Sequence, residues 1–114
     1  MEEELKKLIE ETLIIPCELG AGAMVFPGAT VEVYLRNPEA YGDGQPEVIA
    51  NYVTVNLYYQ ESKKRDAAAD KLIPVLVSNG YLYPKDERYY DTVARKHRAV
   101  LNTSKIGGKQ DAEN

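Results

Sequence analysis

From Val48 to Tyr59 the chain alternates between two kinds of side chain. Ile49, Val53, Val55, Leu57 and Tyr59 fall on one side, and Ala50, Tyr52, Thr54, Asn56 and Tyr58 on the other, with Asn51 interrupting the apolar row. Successive strand residues point to opposite faces, so this period of two predicts a strand with one face in a core and the other polar and aromatic. Such a strand cannot cover its own apolar side; it requires a sheet and a second layer.

Two segments supply that layer. Leu5, Leu8, Ile9, Thr12 and Leu13 recur at helical spacing, which predicts an amphipathic helix over Glu2–Leu13. Its three N-terminal glutamates suit the positive end of the helix dipole, and Pro16 disfavours helical geometry at Ile15. A second helix is predicted from Ser62 to Asn79, capped by Ser62 or Glu61, with Ala68, Leu72, Val75 and Leu76 on one face flanked by Ala69 and Ile73. Asn79-Gly80 is a stop signal, and Pro74 inside the pattern predicts a kink.

The remaining segments read as follows. Cys17 to Gly28 is a loop with Gly20, Gly22 and Gly28 as hinges, and Val31 to Leu35 is a short strand. Arg36 to Glu47 carries Pro38, Gly42, Gly44 and Pro46 and reads as a long connection, disordered in a lone monomer and a candidate functional loop. Tyr81 to Tyr83 enters a strand that Pro84-Lys85-Asp86 turns, and Thr92 to Asn102 is the last strand. Residues 1–106 form a single domain, and 107–114, part of the polar stretch from Lys105, form a flexible tail. The predicted fold is α+β: an antiparallel or mixed four-stranded sheet with two helices packed on one face.

The chain has 114 residues, one domain's worth, with a formal net charge of −4. That balance argues against a surface given over wholly to nucleic acid but leaves room for a local basic patch. One cysteine, Cys17, excludes an intramolecular disulfide and fits a reducing cytoplasm. No apolar run reaches the ~20 residues of a membrane span. The acidic start Met1-Glu2-Glu3-Glu4 is unlike a signal peptide, so the expected location is cytoplasmic, with no membrane partner.

Catalytic chemistry finds little support. A nucleophile would need Cys17 beside the single histidine, His97, and nothing in the sequence brings them together. Asp86, Glu87 and Asp91 form an acidic cluster near a predicted turn, read as solvated, with a weak cation site as the alternative. Gly20-Ala21-Gly22 lacks the following Lys-Ser/Thr of a phosphate loop. No catalytic, metal or cofactor residue is expected, nor a small-molecule substrate; the protein is read as a non-enzyme.

The candidate partner-binding residues are therefore surface ones. Nine tyrosines and no tryptophan suit half-buried interface positions, or equally the solvated side of a sheet. Tyr52 and Tyr58 lie on the polar aromatic face of the main strand, Tyr41 and Asp43 lie in the long connection, and Arg95, Lys96 and Arg98 form a basic patch with His97. The patch reads as a charged edge that discourages aggregation, as a contact for an acidic protein surface, or as a phosphate contact. Reversing Arg95 or Arg98 to Glu is expected to leave the fold intact and weaken assembly.

Three segments carry a family resemblance: the N-terminal helix leading to Ile15-Pro16; the strand–connection–strand stretch Val31 to Tyr59; and the helix ending Leu76-Val77-Ser78-Asn79-Gly80-Tyr81, followed by an acidic turn and Asp91-Thr92-Val93-Ala94-Arg95-Lys96-His97-Arg98. Over about residues 1–106 this order resembles the small tail-terminator proteins of long-tailed phages and prophages, also described as tail-completion, minor tail or head–tail joining proteins. The Gly20–Gly28 loop and Pro74 depart from that pattern. The resemblance implies a ring oligomer, commonly a hexamer, that caps the tail tube and joins it to the head. Its partners would be further copies of itself, the tail-tube protein and head connector proteins, with DNA passing through unread. It would assemble in the host cytoplasm and reside in the virion at the head–tail junction. The alternatives are another head–tail connector component or a small oligomeric cellular binding or regulatory module.

Overall fold

The computed structural model describes residues 2–20, 26–42 and 45–106; the side chains of 34–42, 45–50 and 106 lie outside that description. The element order is α1 (Glu2–Leu13), β1 (Cys17–Leu19), β2 (Gly28–Gly42), β3 (Gln45–Tyr59), α2 (Ser62–Ser78), β4 (Lys85–Asp91) and β5 (Lys96–Ile106). The fold is α+β with a five-stranded sheet in the order β1-β2-β3-β5-β4. The sheet is mixed: β1 runs parallel to β2, and the other pairs are antiparallel. The predicted count of four strands is thus one short.

Two strands have no counterpart at their place in the sequence reading, β4, taken up below, and β1, at the start of the predicted loop. Pro16 blocks helix propagation, and Ile14 turns the chain in a left-handed conformation (φ 56°) while its N–H still donates to the Glu10 carbonyl. The next three residues pair with Ala29–Val31, and the Cys17 N–H donates to Glu10 Oε2 at 3.2 Å. A three-residue parallel strand carries no periodicity to read.

Both predicted helices form. Glu61 occupies the N-cap position of α2 in extended geometry and makes no side-chain cap bond. At the other end Gly80 (φ 95°) takes the left-handed position, letting the Tyr81 N–H reach the Leu76 carbonyl and the Gly80 N–H that of Val77. A Cβ there would also meet Lys105 Cε at 3.3 Å. Pro74 lies inside α2 on its exposed side.

Leu5 and Ile9 of α1, with Ala69, Leu72 and Leu76 of α2, pack onto Ala29, Val31, Val53, Val55, Leu57, Ala99 and Leu101 in one cluster. The apolar row of β3 is therefore its helix side, as its alternation predicts; α2 lies over β3 and β5, and α1 over β1 and β2. Strand-directed alternation and helical stripes converge on a single core.

Three boundaries differ from the sequence reading. The stretch Arg36 to Glu47 is not an open connection: β2 and β3 stay paired through Gly42↔Gln45, with register shifts at Val33/Leu35, Pro38/Ala40 and Ala40/Tyr41. Among the described residues β5 pairs with β3 no further than Ala50↔Ile106. Beyond it, 38–42 and 45–49 form a two-stranded ribbon that projects roughly 16 Å past the rest of the sheet. Tyr81 to Tyr83 is not a strand, and Lys85 and Asp86 open β4 rather than turn the chain. The last strand starts at Lys96, because Thr92 to Arg95 forms a tight turn with Arg95 left-handed (φ 59°), and it runs on to Ile106. The proposed tail, 107–114, lies outside the described residues.

Candidate interaction surface

The sheet side opposite the helices is built from directly opposed residues. Across β2, β3, β5 and β4 one row reads Thr30, Asn56, Val100, Glu87; the next reads Gly28, Tyr58, Arg98, Tyr89. Both rows come from the polar face that the alternation of β3 predicts.

Arg98 organises this surface. Its Nε and Nη2 donate to Asn56 Oδ1 at 3.1 and 2.7 Å, and its Nη1 donates to Asp91 Oδ2 at 2.9 Å. The guanidinium carbon stands 5.2 Å from the Tyr58 ring centre and 5.7 Å from that of Tyr89. Asn56 passes the network on by donating to Thr30 Oγ1. One row away, Thr54 donates to Asn102 Oδ1 at 2.7 Å. These bonds account for the burial of Thr30 and Asn56 on a side that no helix covers.

Asp91 closes the β4–β5 turn. Its Oδ1 accepts the N–H groups of Val93 and Ala94, both at 2.9 Å. The Ala94 N–H, then Arg98, then the Val93 N–H hold its carboxyl below the usual range against a smaller opposing effect of burial. The Tyr58 hydroxyl is pushed up by burial, which outweighs the opposing pull of Arg98.

The predicted contact residues separate. Tyr58, Lys96 and Arg98 come together: Lys96 Nζ lies 4.4 Å from the Phe26 ring centre, and that ring meets Tyr58 edge-on at 5.8 Å. Arg95 leaves the group, because it sits exposed in the turn. Tyr52 is on the same side but roughly 20 Å along β3 from Tyr58, half-buried beside Leu82, Tyr83, Lys85, Asn102 and Ser104 around a shallow depression of about 230 Å³. Tyr41 lies in the projecting ribbon with its side chain outside the described residues, as is the whole of Asp43. Phe26, Asn56, Tyr89 and Asp91 complete the surface. The period-two pattern of β3 already placed Asn56 there, but Phe26 and Tyr89 carry no sequence signal of it.

The structure adds to two readings. Arg98, a candidate partner contact, is also the internal tie of the open side. The acidic cluster does not converge: Asp91 turns to Arg98 on the open side, whereas Asp86 opposes Leu101 on the helix side and binds Arg88 at 2.8 Å. Among the described residues no group of three His, Cys, Asp or Glu side chains could hold a metal ion.

Ile73, Pro74, Val77 and Tyr83, with Asp70 and Ser78, border a groove of about 370 Å³ beside α2. Cys17 on β1 is separated from His97 on β5 by two intervening strands, roughly 14 Å. His97 instead packs edge-on against Tyr90 at 4.9 Å. Among the described residues no helix is long and apolar enough to cross a membrane. No protein-family model matches the chain, and no curated protein sequence matches it.

Proposed function

We propose that the protein is a structural assembly subunit of the phage or prophage tail-terminator type, a ring-forming protein that caps the tail tube and joins tail to head. The observation that supports this reading most directly is the two-stranded ribbon of 38–42 and 45–49, which extends beyond the pairing of β5 and, among the described residues, pairs only with itself. An isolated hairpin is marginal in water, so a projecting one gains its stability by docking on something else. The sheet carries its helices on one side only, which leaves the other side and the edge strand β4 available to neighbours.

In this reading the work is mechanical and involves no bond chemistry. Copies meet through heterologous contacts that close into a ring, a hexamer by the family resemblance. The ribbon docks on a neighbouring copy, the tail-tube protein or a head connector protein, and DNA passes the lumen unread. The site of action is the host cytoplasm during assembly and then the virion's head–tail junction.

The test is native mass spectrometry and electron microscopy of the concentrated protein, alone and with a phage tail-tube protein. Closed rings, formed alone or on tube ends, support the proposal. A stable dimer indifferent to tube protein moves the reading to a small oligomeric binding or regulatory module. Tight binding to short duplex DNA at physiological salt counts against a subunit that only lets DNA pass.

A further inference from the structure

β4 is attached to the fold differently from every other strand. None of its side chains is buried, and Tyr89 and Tyr90 keep 43% and 50% of their surfaces exposed. β1, β2, β3 and β5 each place at least one buried side chain in the core. The link from β4 to α2 is polar instead. The Arg88 guanidinium donates to Asp66 at 3.1 Å and Asp70 at 2.7 Å on α2, and to Asp86 of its own strand at 2.8 Å. Arg65 of α2 donates to the Tyr89 carbonyl at 3.3 Å. The ladder with β5 supplies the rest, together with the Tyr90–His97 ring contact and the Arg98 guanidinium beside Tyr89.

Both ends of the strand are fixed. Pro84 is buried immediately before it, and Asp91 is locked to its own turn and to Arg98. We infer that 85–90 opens as a unit between these two anchors while the core stays folded, releasing the outer edge of β5. Local opening follows from scarce buried apolar contact. Ion pairs near the surface are screened by salt, so the clamp around Arg88 weakens as ionic strength rises. Once β4 lifts away, β5 remains paired with β3 on its other side, so the rest of the sheet stays ordered. The opening does not rest on the proposed function, so the two can fail separately.

Hydrogen–deuterium exchange of the full chain tests it, for the unaltered protein and for Arg88→Met, at low salt and in about 1 M NaCl. Peptides over β4 are expected to exchange at least ~10-fold faster than those over β3. Salt should accelerate β4 and leave β3 unchanged, and Arg88→Met should do the same at low salt. A single common rate for β4 and β3 overturns the inference. So does a fast β4 indifferent to salt, because the clamp then does not hold the strand. If Arg88→Met fails to fold, the salt series on the unaltered protein decides alone.

Discussion

Arg95 and Arg98 look alike in the sequence, and the structure gives them different work. Arg98 satisfies a buried amide and a carboxylate at once, whereas Arg95 projects from a turn. Arg98→Glu leaves Asn56 without its donor and places a second carboxylate beside Asp91, so urea denaturation should show a loss of about 1–3 kcal/mol. Arg95→Glu should fall within about 0.5 kcal/mol of the unaltered protein. Asp91 carries the pH dependence of the same network. Its folded-state pKa lies below the ordinary 3.8, so the unfolded chain takes up the proton first. The contribution is present in full above that value and is lost as pH falls below it, through the lower folded value. The stability gap between the protein and its Asp91→Asn variant should therefore narrow as denaturation is repeated at lower pH. Cys17 offers a third check. Burial foremost, and then the Glu10 carboxylate, raise its thiol to about 11, and the residue is only 2% exposed. A thiol reagent at neutral pH should leave the folded protein unlabelled and modify it fully in denaturant.

At the scale of elements, legibility followed periodicity. Both helices and the inner part of β3 were readable because their apolar residues recur at 3.6 or 2 and, Val75 apart, converge on the same core. Leu72, fully buried in α2, shows how much rests on that stripe; Leu72→Ala should cost about 2–5 kcal/mol in a urea titration. β4 was unreadable for the opposite reason: Lys85-Asp86-Glu87-Arg88 has no buried face, and its order comes from ion pairs to α2 that no local pattern encodes. The extension of β2 and β3 was hidden by Pro38 and Pro46. Proline is tolerated in a two-stranded ribbon because the outward side of each strand has no ladder to complete, and register shifts fall around Pro38. Of the contact surface, the β3 half was legible. The part contributed by Phe26, Tyr89 and Asp91 arises only when the register of β4 and β5 brings them beside Arg98 and Lys96.

At the scale of the whole molecule, the fold sets a two-stranded ribbon beyond the pairing of β5 apart from the sheet that carries the helices. Every described residue of the buried cluster lies within the helices, β1, the inner halves of β2 and β3, β5 and the segments joining them. Removal of the ribbon is expected to leave that cluster closed. Asn37 opposes Ala50 and β5 still pairs there, so replacing 38–49 by Asn-Gly closes a two-residue hairpin on an existing pair. The truncated chain should fold cooperatively, with a thermal midpoint within about 5 °C of the full protein, since a shift of that size corresponds to roughly 1 kcal/mol in a domain of this length. Its behaviour in assembly should change completely. Where the full chain forms rings alone or on tube ends, the truncated chain should remain monomeric in native mass spectrometry and leave tube ends bare in electron micrographs. Rings of unchanged size from the truncated chain would show that the open side and the edge of β4 suffice for closure. Unfolding on truncation would show instead that the ribbon is part of the core's stability, and its projection beyond β5 would lose its functional meaning.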